Sequence, residues 1–115
     1  MRIGVIGTGR HGSRYANHIV NDVEGLELTA ISRRSAEGGR QAGEWHCAFY
    51  SDWRDLVAAG DVDAVIAAVP PALNDAVAGR CAAEDKPLLV EKPLAVSSAA
   101  AAEIVELFSG RNLPL

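Results

Sequence analysis

Met1 to Gly12 read MRIGVIGTGRHG, and this stretch decides which fold the rest of the chain is expected to form. An apolar run from Ile3 to Ile6 predicts a buried strand, which leads through a glycine-rich turn into a helix. The order of strand, G-x-G-x-x-G turn and helix is the fingerprint of dinucleotide-binding sites. Small glycine-rich turns also join strands to helices for purely local reasons, so the stretch alone leaves both interpretations open.

Each glycine of the turn would have a mechanical role in such a site. Gly7 would permit the tight turn, Gly9 would let the backbone approach a pyrophosphate, and Gly12 would let the helix pack closely on the strand. The helix N-terminus offers free N–H groups and the positive end of its dipole to phosphate. The candidate cofactor-binding residues of the turn are Gly7, Thr8, Gly9, Arg10, His11 and Gly12.

Length and composition restrict the class of protein. The 115 residues, 49% of them hydrophobic, fit one domain over residues 1–115, with no room for a second full domain. A net charge of -4 and the lack of any Lys/Arg run argue against a nucleic-acid partner. The apolar stretches are short and interrupted, so neither a membrane span nor a signal peptide is indicated, and a cytoplasmic location is expected.

The cysteines and histidines do not predict a metal site. Cys47 and Cys81 have no paired spacing, and the three histidines are scattered along the chain. We interpret both cysteines as small buried hydrophobic residues.

Beyond the first helix, predicted over Arg10 to Asn21, strands alternate with helices. Strands are predicted at 26–32, 47–50, 63–69 and 87–90, and helices at 36–45 (short or frayed because it holds three glycines), 53–59, 72–83 and 98–110. Such alternation predicts βαβ units and an α/β fold with a doubly wound parallel sheet, a Rossmann fold of strand order 3-2-1-4-5. The ligand crevice would open above the carboxyl ends of the first and fourth strands.

The second strand ends in Ser32-Arg33-Arg34-Ser35, where the ribose of a dinucleotide is expected to lie. NAD sites place an Asp or Glu there for the ribose 2′-OH, whereas NADP sites use Arg and small hydroxyls for a 2′-phosphate. Two guanidiniums and no carboxylate favour NADP, with NAD as the alternative, and make Ser32, Arg33 and Arg34 candidate binding residues. A solvated basic loop is the other interpretation of this stretch.

Three segments together resemble one family of oxidoreductases. They are Ile3 to Gly9, the Asp63-Ala64-Val65 strand that ends in Pro70, and Glu91-Lys92-Pro93-Leu94-Ala95. These residues look like the N-terminal Rossmann domain of the glucose-fructose oxidoreductase/inositol dehydrogenase (Gfo/Idh/MocA) family of NAD(P)-dependent enzymes. The resemblance runs nearly end to end and implies that the family's second, substrate-binding domain is absent from these residues.

The resemblance implies roles for the residues after the fifth strand. Glu91 would lie beside the nicotinamide ribose, and Lys92, the candidate catalytic residue, would reach the nicotinamide and the substrate oxygen. Hydride transfer leaves negative charge on that oxygen. A fixed ammonium group can stabilise this charge or can relay a proton to or from the oxygen. A plain surface lysine and an ordinary ion pair of Glu91 remain the alternatives.

The segment after the fourth strand adds Val69, Pro70 and Asn74 as candidate cofactor-binding residues. Asn74 stands where the family often carries a histidine that faces the nicotinamide or substrate. An amide can bond ribose or substrate but cannot transfer a proton near neutral pH, so acid–base chemistry at this position is in doubt. The family's further acid–base groups, commonly a histidine and an aspartate, come from the second domain.

The favoured function is the cofactor-binding part of an oxidoreductase that transfers hydride between NADP and a sugar, polyol or related hydroxy or keto substrate. The small-molecule substrate is expected to bind only together with a second domain, so these residues alone would be inactive. A stand-alone nucleotide-binding module without catalysis is the alternative, and an interaction domain with a vestigial glycine turn is a third. Exposed apolar surface around Ile104 to Phe108 and an unpaired strand edge predict a homo-oligomer.

Overall fold

In the computed structural model, which describes all residues from Met1 to Leu115, five parallel strands form one sheet with helices on both faces. The strand order is β3-β2-β1-β4-β5, so the predicted doubly wound α/β fold and its topology are confirmed. None of the helices has the length and apolar character needed to cross a membrane. In chain order the elements are β1 (Arg2–Ile6), α1 (Arg10–Asn21), β2 (Glu27–Ser32), α2 (Glu37–Trp45), β3 (Ala48–Tyr50), α3 (Trp53–Ala58), β4 (Ala64–Ala67), α4 (Pro71–Ala83), β5 (Leu88–Val90) and α5 (Ser98–Gly110).

The central strand β1 separates two hydrophobic layers. Its Ile3 and Val5 pack with Ala16 and Ile19 of α1 and with Ala42 of α2. Its next residue, Ile6, belongs to the layer formed with α3, α4 and α5 on the opposite face. Since successive side chains of a strand point to opposite faces, burial on both faces explains why β1 is an almost unbroken apolar run.

The fourth strand is shorter than the predicted span of 63–69. Before it, the Asp63 carboxylate accepts hydrogen bonds from the Arg2 side chain and backbone, and this pairing lowers the pKa of Asp63 to about 2. After it, Ala68 still donates its N–H to the Ile6 carbonyl at 2.9 Å, and the chain then turns into α4. Pro70 has no N–H with which to continue the ladder.

The glycine-rich segment before β3 was expected to form a short or frayed helix. It forms the short helix α2, whose nine residues are all helical. Gly38 is buried beneath Phe49, and a Cβ at Gly38 would lie 2.4 Å from the Cε2 atom of Phe49. The close approach of helix and strand that glycine permits therefore offsets part of its unfavourable helix propensity.

The last helix, α5, buries only part of the segment that was expected to be exposed. Ile104 and Phe108 are only 3% and 1% exposed because they pack in the same hydrophobic layer as Val77 and Cys81 of α4. Val105 and Leu107 of the same segment are 49% and 38% exposed. The expectation of exposed apolar surface over Ile104 to Phe108 is therefore wrong for the buried pair and correct for the other two. The face that carries Ile104 and Phe108 is part of the core.

The two cysteines differ in burial. Cys81 is fully buried, as expected, whereas Cys47 is only half-buried. Burial raises the pKa of Cys47 to about 11 and that of Cys81 to about 12, so both stay protonated near neutral pH. A protonated thiol is neither a strong nucleophile nor a metal ligand.

Candidate functional site

The loops that follow β1, β2, β4 and β5 lie side by side at one edge of the sheet. The Gly7 N–H donates to the Ser32 carbonyl at 2.9 Å, and the Glu91 N–H donates to the Ala67 carbonyl at 3.0 Å. These bonds continue the strand pairing beyond the strand ends. In doubly wound folds this edge, where the strand order reverses, is the place where ligands bind.

A cleft of about 570 Å³ opens at this edge between the ends of β1, β2 and β4. One wall is apolar and includes Trp53 and Leu73, and no Asp or Glu lines the cleft. The polar loop after β2 also lines the cleft. Of the predicted site residues, the cleft brings together Gly7, Ser32, Arg33, Arg34, Val69 and Pro70.

The three glycines of the turn meet different constraints. Gly7 has a φ of 85°, and a Cβ there would lie 2.4 Å from the Ala68 carbonyl oxygen. A Cβ on Gly12 would lie 1.8 Å from the Gly7 carbonyl oxygen. Gly9 has a φ of -74°, and a Cβ there would meet no atom within 4 Å. Contacts within the fold therefore require glycine at positions 7 and 12, but no contact requires it at position 9.

The start of α1 offers unpaired backbone donors next to the cleft. Gly9 is the N-cap residue, no side chain caps the helix, and its first turn holds no acidic residue. The Gly9 N–H has no hydrogen-bond partner, and Arg10 and His11 are exposed in the first turn. Free N–H groups, the positive helix dipole and the Arg10 cation together favour an anion here.

Thr8 is placed differently from the expectation for a cofactor-binding side chain. It is 0% exposed, and its hydroxyl donates to the Gln41 side-chain oxygen at 2.7 Å. The Thr8 carbonyl accepts hydrogen bonds from Gln41 and from Arg33. Because Thr8 points into the protein, its side chain anchors the turn and does not face the cleft.

The loop after β2 supplies two guanidiniums to the cleft. Arg33 is half-buried and donates from Nη1 to the Thr8 carbonyl at 3.1 Å, which leaves its other donors free of protein partners. Arg34 is exposed and forms no hydrogen bond or ion pair. Ser32 is buried, and its carbonyl anchors Gly7.

The arginines near the glycine turn differ from the other arginines in the chain. Arg10, Arg14, Arg33 and Arg34 have no carboxylate within 4.0 Å. Each of the remaining arginines is paired with an Asp or Glu: Arg2, Arg40, Arg54, Arg80 and Arg111. In a chain of net charge -4, unpaired cations around one loop produce a local positive potential that attracts anions.

Glu91 and Lys92 lie at the end of β5, beyond the cleft. The Tyr15 hydroxyl on α1 donates to Glu91 Oε1 at 2.5 Å, and the Lys92 N–H donates to Glu91 Oε2 at 3.2 Å. The bond from Tyr15 lowers the pKa of Glu91 and raises the pKa of Tyr15. The Lys92 side chain is exposed and has no polar partner, and the Lys92–Pro93 peptide bond is cis.

Asn74 does not reach the cleft surface, contrary to the expectation that it contacts a cofactor. It is 1% exposed, and its Nδ2 donates to the Leu94 carbonyl at 2.9 Å and to the Pro93 carbonyl at 3.4 Å. Its Oδ1 is buried without a hydrogen-bond partner. Asn74 therefore ties the start of α4 to the loop that carries Lys92.

Three residues of the site carry no motif signal and are missed by sequence reasoning. Gln41 lies within a helix, where a polar residue is expected on the surface. Tyr15 follows the apolar spacing of α1, and the only available signal is that a partly buried Tyr hydroxyl usually needs a partner. Trp53 packs against the core and also lines the cleft.

The sequence matches a family model along its whole length. The model described as "Oxidoreductase family, NAD-binding Rossmann fold" covers residues 1–115. Inositol 2-dehydrogenase 1 from Saccharopolyspora erythraea is 36% identical over 119 residues, which cover 98% of this chain and 35% of that protein. A dTDP-3,4-didehydro-2,6-dideoxy-alpha-D-glucose 3-reductase from Saccharopolyspora spinosa is 32% identical over 116 residues, which cover 100% of this chain and 35% of the reductase.

The fold is shared with solved structures as well. The crystal structure of an NAD binding oxidoreductase from Klebsiella pneumoniae is 30% identical, with a TM-score of 0.83, and the match covers 98% of this chain and 32% of that chain. The chain thus spans about a third of the length of the proteins that it matches.

The bond between Tyr15 and Glu91 predicts a pH effect. Because it lowers the pKa of Glu91, the stability that charged Glu91 contributes is complete above the ordinary Glu pKa and is lost as the pH falls through the lowered pKa. In Tyr15→Phe we expect the pKa of Glu91 to rise towards its ordinary value. NMR titration of the side-chain carboxyl carbon measures the shift.

The control for this experiment is Tyr50→Phe, because the Tyr50 hydroxyl makes no hydrogen bond. This variant should leave the titration of Glu91 unchanged. The stability difference between wild type and Tyr15→Phe should shrink as the pH falls below the lowered pKa. An unchanged Glu91 pKa in Tyr15→Phe would show that the hydrogen bond from Tyr15 does not lower it.

Proposed function

We propose a function from the premise that this chain belongs to the Gfo/Idh/MocA oxidoreductase family, whose NAD-binding Rossmann fold spans all of its residues. The chain binds a nicotinamide dinucleotide along the edge that joins the glycine turn, the loop after β2 and the loop after β5. It serves as the cofactor-binding part of an oxidoreductase that acts on a polyol, a sugar or a related hydroxy or keto compound.

The open space at Gly9 is the observation that carries this proposal. No contact within the protein requires glycine there, since a Cβ would touch nothing within 4 Å. A ligand that lies against the backbone would require it, because a side chain would then occupy the ligand's place. Unpaired N–H groups and the cation of Arg10 surround the same position, which fits the pyrophosphate of a dinucleotide.

The variant Gly9→Ala tests the proposal. We expect dinucleotide affinity to fall at least about tenfold, because the new methyl group displaces the pyrophosphate from the backbone donors. The free energy of unfolding should change by about 1 kcal/mol or less, the usual difference between Gly and Ala at an N-cap. Isothermal titration calorimetry and urea unfolding measure the two quantities.

Gly79→Ala is the matched control, since its Cβ would also meet open space but lies on α4, away from the cleft. This control should bind the dinucleotide as wild type does and should be stabilised by up to about 1 kcal/mol. Wild-type affinity in Gly9→Ala, or no binding by the wild-type chain, would refute the proposed function.

The preferred cofactor in this proposal is NADP. A ribose 2′-phosphate needs cations, and the cleft offers Arg33 and Arg34, with no carboxylate among its lining residues for a bare 2′-OH. Arg34 has no protein partner, so its guanidinium is available to a phosphate. Arg33 has donors left after its bond to Thr8.

Single variants of Arg33 and Arg34 distinguish binding of the 2′-phosphate from anchoring of the glycine turn. Arg34→Ala should lower the preference for NADPH over NADH about tenfold, since it removes a charge-assisted bond and leaves the turn anchored. Arg33→Ala should weaken the binding of both cofactors, because it also removes a donor from the Thr8 carbonyl. Calorimetry with NADPH and NADH measures both effects.

Arg80→Ala is the control, since Arg80 is paired with Glu84 on α4. It should leave both affinities unchanged. Equal affinity of the wild-type chain for NADPH and NADH would show that the NADP assignment is wrong.

Lys92 is the proposed catalytic residue. The bound cofactor would supply the hydride donor or acceptor. The exposed Lys92 ammonium can donate a hydrogen bond to the reacting oxygen of the substrate and stabilise negative charge on it. Asn74 supports this role by holding the Pro93 and Leu94 carbonyls of the same loop.

A polyol is the proposed substrate class because inositol dehydrogenases are among the relatives.

We expect the 115-residue chain alone to bind cofactor and to turn over no substrate. Lys92 lies on an open surface, where water screens its charge and competes for the substrate oxygen, so little of the orientation that accelerates hydride transfer is provided. NADPH absorbance measured against a panel of polyols, sugars and keto acids tests this. Steady turnover that is lost in Lys92→Ala would show that these residues form a complete enzyme.

A further inference from the structure

Gln41 forms a two-bond clasp with Thr8 of the glycine turn. The Thr8 hydroxyl donates to Gln41 Oε1 at 2.7 Å, and Gln41 Nε2 donates to the Thr8 carbonyl at 3.0 Å. Gln41 is buried within α2 and Thr8 is fully buried, so water does not compete with either bond. The clasp ties α2 to a turn that lies 33 residues earlier in the chain.

The Thr8 carbonyl is held by a second donor. Arg33 Nη1 donates to the same oxygen at 3.1 Å. A carbonyl oxygen has two lone pairs, and both are engaged here. The carbonyl is therefore fixed towards Gln41 and Arg33.

This arrangement determines the direction of the next backbone donor. The Thr8–Gly9 peptide is planar and trans, so its carbonyl and its N–H point in opposite directions. A carbonyl fixed towards α2 and the loop after β2 directs the Gly9 N–H away from them. That N–H has no partner within the chain.

We propose that Gln41 is a positioning residue that orients the Thr8–Gly9 peptide, so that the Gly9 N–H is preset to bond the pyrophosphate of the dinucleotide. This role rests on the proposed function. Gln41 does not touch the ligand and acts only through Thr8. Its contribution is preorganisation, since the turn does not have to be ordered when the anion binds.

The variant Gln41→Leu removes both bonds and keeps a helix-forming side chain of similar size. Without the clasp, the affinities for NADPH and for ADP should each fall about tenfold. This is the loss expected when one charge-assisted hydrogen bond is misdirected. Adenosine lacks phosphate, so its affinity should stay within about twofold of wild type. Calorimetry with the three probes measures this pattern.

A second readout needs no ligand. The Gly9 amide resonance in an NMR spectrum of the free protein should shift and broaden in Gln41→Leu, because the peptide loses its fixed orientation. Thr8→Val, which lacks the hydroxyl, should shift the same resonance. Thr8→Ser retains the hydroxyl and should leave the Gly9 amide resonance as in wild type. Glu44→Leu, at an exposed position of α2, is the matched control and should leave the Gly9 amide and all three affinities unchanged.

The outcomes distinguish this inference from the function on which it rests. If wild type binds the dinucleotide and Gln41→Leu binds it equally well, the positioning role is wrong. An equal loss of adenosine and dinucleotide affinity would also overturn it, because that result indicates general loosening of the fold. If wild type does not bind the dinucleotide at all, the proposed function fails, and with it the ligand-positioning role.

Discussion

Parallel pairing of β1 with β2 on one side and with β4 on the other is the constraint on which the rest of the structure depends. Parallel neighbours must be joined by crossovers, so each strand is followed by a helix that returns the chain to the opposite edge. Every loop that follows a strand therefore emerges at the same edge. The glycine turn, the two arginines after β2 and the Glu91-Lys92 pair lie together for this reason and not because of any local preference.

The glycine turn separates the requirements of folding from those of binding. Gly7 and Gly12 are needed because backbone atoms lie where their side chains would be, whereas Gly9 faces open space. The conformation of the turn also depends on residues outside the motif. Gln41 and Arg33 hold the Thr8 carbonyl, so a pattern of three glycines describes only part of what shapes this loop.

The two ends of the site differ in how completely they are built. Around the cleft, cations without carboxylate partners surround a helix N-terminus, which suits a phosphate-rich ligand. At the end of β5, Tyr15 fixes Glu91 while Lys92 projects from an exposed loop. The arginines after β2 line a cleft of about 570 Å³, whereas the Lys92 side chain lies on an open surface.

The sequence by itself determined the alternation of strands and helices and the glycine turn, because hydrophobic periodicity and turn residues are local patterns. The strand order was expected from that alternation, the dinucleotide-binding fingerprint and the crossover rule together. Only the tertiary structure decided that Thr8 and Asn74 are buried and that Gln41 and Tyr15 belong to the site. The bonds concerned join residues 33 and 76 positions apart, and no local pattern specifies such a distance. The covered face of α5 has the same cause, since Phe108 is buried by residues of another helix.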